Sequence, residues 1–280
     1  MCIFLKNTFQ PLWKDRPQAA MHLLSIFFHR LRHVLAHAKP GAPFMRILLL
    51  ASICMLVGTS GASALTASKG LSFYARDMEF YYKENRPETL PGILRSFDAQ
   101  NVLYDRQKQL TLAAFLAESL KTDPAARRRL LPLVPSLSRD GKRTLAWAVH
   151  LARLTDEAAL MQLLLDEKDA ILLQQIQHNP TPLLQWDLTR EKTVLQMYWA
   201  AYTASGNTAY LDAIIDAALR YADLNSSGRQ NDPAFAVSQT AAASLYEMAP
   251  RHESVQDRVR QRLDGLSGPQ AETLRTILRK

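Results

Sequence analysis

Beyond about residue 65, Leu, Ala and Met recur three and four positions apart with charged residues between them, and alternating β-branched runs are almost absent. That period fits the 3.6-residue turn of an α-helix and not the two-residue repeat of a strand. Such a chain buries its apolar groups by packing helix on helix, and the expected fold is all-α, with antiparallel hairpins stacked side by side. The periodic segments run roughly over 71–84, 88–99, 105–121, 124–137, 141–154, 156–166, 168–178, 191–205, 208–222, 233–248, 252–264 and 269–279. Asp123-Pro124 and Asp232-Pro233 each set an N-cap acceptor before a proline suited to the first helical turn. Pro132 and Pro135 should end the fourth segment early. The run 225–231, Asn-Ser-Ser-Gly-Arg-Gln-Asn, has no apolar residue to bury and reads as an exposed loop.

The first part of the chain has a different composition. Arg46 precedes an apolar run from Ile47 to Val57, followed by small residues that end in Ala62-Ser63-Ala64. This order reads as the three regions of a signal peptide over 45–64, cut after Ala64, so that a targeting helix precedes a helical domain at 65–280. The competing expectation is an uncleaved anchor, because Ile47 to Ala67 carries no charge and approaches the length that spans a bilayer. Residues 1–44 form a basic leader, which reads either as a start assigned too early, with Met45 the true start, or as an interfacial helix around Met21–Leu35. The expected location is therefore the periplasm or the exterior, or the inner membrane if the segment stays attached.

The leader also changes what the whole-chain charge means. Of the net +8, residues 1–64 supply +6 through seven Lys/Arg against Asp15, leaving +2 for the remainder. A nearly balanced domain lacks the uncompensated cations that phosphate-backbone binding needs, so nucleic acid is not an expected partner. Both cysteines, Cys2 and Cys54, fall in the leader. The helical domain then has no disulfide, no thiolate nucleophile and no Cys-bound zinc.

The clearest hairpin joins 194–206 to 207–219, with Val194, Met197, Tyr198, Ala201, Tyr202 and Ser205 on one face and Gly206 at the turn. Trp199, Tyr202, Gly206, Tyr210, Ala213 and Ala217 give it an aromatic, glycine and alanine pattern that resembles a tetratricopeptide repeat over about 26 residues. The resemblance implies a stack of helical hairpins, as in an α-solenoid, and binding of a protein or peptide. The whole chain also looks like uncharacterised exported all-helical bacterial proteins, a likeness that implies no activity.

Candidate chemistry is sparse. Asp77 shares a helical face with Tyr81 near the domain's start, where aromatic residues are densest, and Trp186 stands beside Asp187 in an irregular connection. With Trp199 and Tyr202, these are the residues expected to line a ligand or partner surface. His150, His178 and His252 lie far apart and in no zinc-binding spacing, so neither a metal nor a cofactor is expected. Asp212 and Asp216 put two carboxylates on one helical face, which reads as solvated, as does Arg127-Arg128-Arg129. The phosphate-binding glycine loops and the common nucleophile motif of hydrolases are absent from the helical domain. The expectation is an exported interaction module rather than an enzyme. An envelope enzyme or ligand binder with a pocket near Asp77, Tyr81 or Trp186, and a membrane-tethered structural protein, are the alternatives.

Overall fold

Capping side chains and prolines set where several helices begin, but the helix expected from Asp232-Pro233 starts only at Phe235, because Asp232 accepts from the Ala234 amide in a turn ahead of it. The structure, a computed structural model, describes residues 75–279, and every regular element among them is helical. The signal segment, the Ala64 cut, the Ile47–Ala67 anchor and both cysteines lie outside the described residues. The α-helices are α1 (Ala75–Glu79), α2 (Tyr81–Glu84), α3 (Leu90–Ala99), α4 (Arg106–Thr122), α5 (Pro124–Leu130), α6 (Arg139–Ala152) and α7 (Glu157–Leu164). They continue as α8 (Ala170–His178), α9 (Lys192–Ser205), α10 (Thr208–Ser226), α11 (Phe235–Met248), α12 (Glu253–Leu263) and α13 (Gly268–Leu278).

The caps follow from the side chains. Asp105 accepts from the amides of Gln107 and Lys108 at 2.9 and 3.2 Å, Asp123 from Ala125 at 2.7 Å, and Asn207 from Ala209 at 3.0 Å. Each satisfies amides that a helix start leaves without intrahelical partners. At α6 the cap is shared. Ser138 accepts from the Gly141 amide, while Asp98 of α3 accepts from the Ser138 amide at 2.8 Å and also bonds its hydroxyl. A Cβ at position 141 would stand 2.7 Å from Asp98 Oδ1 and push that carboxylate off the cap.

Two segments depart from the periodic reading. The stretch ending at Glu84 is broken at Phe80, which has φ −109° and ψ 12°, because its ring stacks on His252 while Tyr81 turns inward. The polar run at 225–231 does not begin as a loop: α10 continues to Ser226. The hydroxyls of Ser226 and Ser227 donate to the Asp223 carbonyl, and the Arg229 amide donates to Leu224 O at 2.8 Å. An exposed last turn needs no apolar residue once its carbonyls are satisfied. As expected from its prolines, the fourth segment leaves the α-conformation at Leu130 and continues as a 3₁₀ stretch to Ser136.

Helix α4 is the centre of the fold. It is buried from Leu112 to Leu120 without a polar outer face, and it lies between α6 and α9. Ala113, Ala114 and Ala117 let these neighbours come close, with Phe115 and Trp147 filling the space between. Helix α10 extends the assembly from α9 to α11, α12 and α13. Among the described residues two carboxylates are buried: Asp169, paired with Arg139 and Arg143 at 2.9 and 2.6 Å, and Glu118, which accepts a 2.6 Å bond from Tyr210. Burial and this anionic neighbour push the Tyr210 phenol far above its usual range, so it remains a donor. Among the described residues, no helix is long and apolar enough to cross a membrane.

Candidate functional site

The connection between α8 and α9 is irregular, yet it is held at several points. Trp186 sets its ring edge-on to Trp147 of α6, with centroids 6.1 Å apart, and donates from Nε1 to the Pro180 carbonyl at 2.7 Å. Tyr198 of α9 donates to Trp186 O at 2.9 Å and reaches Leu183 O at 3.3 Å. Burial pushes the Tyr198 phenol up to about 12, which keeps that donor protonated. Beneath the connection, His150 places Nδ1 2.7 Å from Glu157 and Nε2 3.2 Å from the Asn179 carbonyl, so both ring nitrogens face acceptors.

Two clefts meet at this ridge. One, of about 360 Å³, opens between Trp186–Thr189 and α10, where Ala213, Asp216, Ala217 and Arg220 line it. The other, of about 410 Å³, opens toward Arg106 and Leu110 of α4 and the start of α9. Trp186 and Asp187 form a wall of both. Asp187 accepts from the Thr189 hydroxyl and amide and pairs with Arg190 at 2.9 Å. The Thr189 hydroxyl first, aided by its amide and Arg190, holds the Asp187 carboxyl below the usual range. The rim is open, with the Arg190 side chain 82% exposed.

The residues expected to form a surface separate into three places. Trp186 lies at the clefts. Asp77 is partly buried and meets no ion-pair partner among the described residues. Tyr81 is in the core with its ring edge against Phe115, 5.2 Å between centroids, and burial raises its pKa to about 12. Tyr81 is only 2% exposed, so its ring is part of the core and does not line an open surface. Trp199 donates to Ser244 at 2.9 Å and leans edge-on against Tyr202. Tyr202 is buried but reaches Ser254 at 2.7 Å.

That last contact leads to a group of which the sequence expectations single out only Tyr202. Ser254 Oγ lies 3.1 Å from Tyr82 Oη, which lies 3.0 Å from His252 Nδ1, and His252 Nε2 lies 3.0 Å from Glu79 Oε1. Phe80 stacks on the imidazole with centroids 4.8 Å apart, and Arg251 pairs with the other oxygen of Glu79. The residues come from α1, the α1–α2 break, α2, α9 and the start of α12. No local motif could show this group, because its partners are up to 173 positions apart.

The carboxylates expected to be solvated are engaged. Asp212 forms a two-bond pair with Arg258, at 2.7 and 2.6 Å, and Asp216 pairs with Arg262. Arg127 pairs with Asp156, while Arg128 and Arg129 are exposed. Among the described residues, no three His, Cys, Asp or Glu side chains gather as a metal would require. No family model, curated protein or solved structure matches the chain.

Proposed function

We propose that this chain is an exported helical module that holds a peptide segment of a protein partner across the Trp186 ridge. The observation that carries the reading is the pair of clefts meeting at a tryptophan fixed by its ring, its Nε1 and its carbonyl. An aromatic anchor in a rigid setting, with polar groups on both sides, is the usual centre of a peptide contact. A small-molecule site would enclose most of its ligand; the exposed Arg190 and Asp187 at this rim favour a chain lying across it. The hairpin of α9 and α10, closed by Gly206 and Asn207, supports a stack of the tetratricopeptide kind as the scaffold.

Export rests on the segment 45–64, with its apolar run and Ala-Ser-Ala end. Mass spectrometry of the native N-terminus should find a chain beginning at Leu65. An intact Ile47–Ala67 segment in carbonate-washed membranes would instead establish tethering.

Binding is tested by selecting peptides from a random displayed library on the purified protein. Selected peptides should lose about tenfold or more in affinity for Trp186→Ala and for Arg190→Glu, the second being an exposed change that spares the fold. Peptides that bind both variants as well as the unaltered protein would refute the assignment of the surface. Failure to enrich any sequence would count against peptide binding itself.

A further inference from the structure

The neighbours of His252 leave its hydrogen bonds only one order in the neutral ring. Glu79 Oε1 can only accept, so Nε2, 3.0 Å away, carries the proton. Nδ1 is then an acceptor, and the Tyr82 phenol, at 3.0 Å, donates to it. The Ser254 hydroxyl accepts from Tyr202 at 2.7 Å and donates to Tyr82 Oη at 3.1 Å, which engages one lone pair of Oη and leaves the other for bond formation. Burial pushes the Tyr202 phenol up to about 12, which keeps Tyr202 a donor into this chain. The base has no exposed surface, whereas Tyr82 is half-buried and Ser254 exposed. The hydroxyl of a half-buried ring, a ring nitrogen behind it and a carboxylate orienting that nitrogen's ring make up the arrangement that activates an oxygen nucleophile.

We propose that Tyr82 Oη is an activated nucleophile that accepts an acyl group from a neutral, activated acyl donor, with His252 as base and Glu79 as the positioning residue. In the step, Oη bonds to the acyl carbon and the phenolic O–H breaks, its proton passing to His252 Nδ1. The acyl carbon releases its leaving group as an anion, and a tyrosyl ester remains. The proton is lost to solvent as His252 returns to neutrality, so charge and atoms balance. The imidazolium formed on the way faces the Glu79 carboxylate. The cations here are committed elsewhere: Arg251 is engaged by Glu79, and Lys83 sits over the faces of Phe80 and Tyr82, 5.6 and 5.8 Å from their centroids. Neither forms a clamp for a phosphoryl dianion.

The probe is p-nitrophenyl acetate on the full chain, with acetylation followed site by site by peptide mapping. Tyr104 is the internal reference, because its ring is 80% exposed and has no hydrogen-bond partner among the described residues. Tyr82 should acetylate about tenfold or more faster than Tyr104 despite its lower exposure. His252→Gln should bring Tyr82 down to the Tyr104 rate and leave Tyr104 unchanged. Glu79→Gln should slow Tyr82 and move the midpoint of its rate against pH to lower pH, because the carboxylate supports the imidazolium. Glu79→Asp should restore part of both, a response that a purely structural role would not give. Tyr82 reacting no faster than Tyr104 in the unaltered protein overturns the proposal without recourse to any variant, as does a folded His252→Gln that keeps the full Tyr82 rate.

Discussion

A histidine with a carboxylate on one nitrogen and a phenol on the other has its hydrogen bonds satisfied when neutral, and burial favours the same state. Burial first holds the His252 pKa below its ordinary value, with Glu79 pulling it partly back and Arg251 and Lys83 adding to the depression. A depressed folded-state pKa stabilises the fold above the unfolded value of about 6.5, and that contribution is lost as pH falls through the folded value. Chemical denaturation should therefore show a steeper loss of stability as pH falls below about 6.5 in the unaltered protein than in His252→Gln, where this proton is not taken up. Equal slopes would remove His252 from the acid response. The sequence does not place this residue, because its partners come from the far end of the domain. It does mark the aromatic run at 73–82, but an unbroken helix puts Asp77 and Tyr81 on one working face. The break at Phe80 resets the register, turning Tyr81 into the core and bringing Glu79, Phe80 and Tyr82 to the imidazole. Periodicity assumes a continuous helix, and one residue leaving helical φ/ψ changes which side chains share a face.

Helices α10 and α12 are joined by a match of spacing: Asp212 and Asp216 are four apart, as are Arg258 and Arg262. The inner pair is bidentate and partly buried, and the outer has an Asp216 side chain 58% exposed. A double-mutant cycle with Asp212→Asn and Arg258→Gln should return a coupling of about 1 kcal/mol, and Asp216→Asn with Arg262→Gln about half that or less, falling further in high salt. Equal couplings would mean that exposure does not govern the ladder. Across helices, Asp98→Ala should cost about 1–2 kcal/mol in denaturant titration, because it withdraws an acceptor from the Ser138 amide at the start of α6. The elements themselves were largely legible in sequence, since capping residues, prolines and the 3.6 period act locally. Their partners were less so. The carboxylates at 212 and 216 read as solvated because the arginines that meet them are 46 residues away. Helix α4 announces its helical state through its apolar period, but only its lack of a polar outer face over 112–120 hints that it is the centre.

At the scale of the molecule, α9 connects the two surfaces discussed above. Tyr198 and Tyr202 stand one helical turn apart, and their phenols leave the core in different company: Tyr198 bonds the carbonyls that fix the Trp186 ridge, and Tyr202 bonds Ser254 beside Tyr82. The same helix packs on central α4, so its position is set by core burial and not by either surface. Gly206 ends it with φ +67°, a left-handed conformation that glycine adopts without strain. A rigid helix bearing two irregular segments predicts local consequences when one contact is removed. Tyr198→Phe keeps the ring in the core but removes the donor to Leu183 and Trp186, which should cost about 1 kcal/mol globally. Its larger effect should appear at 179–191, as faster amide exchange and earlier proteolysis, with weaker binding of any peptide selected on Trp186. Amide exchange at 79–84 should stay unchanged, because Tyr202 still holds Ser254. If exchange rose equally in both segments, α9 would be transmitting the change between them, and the ridge and the Tyr82 chain would be one cooperative unit.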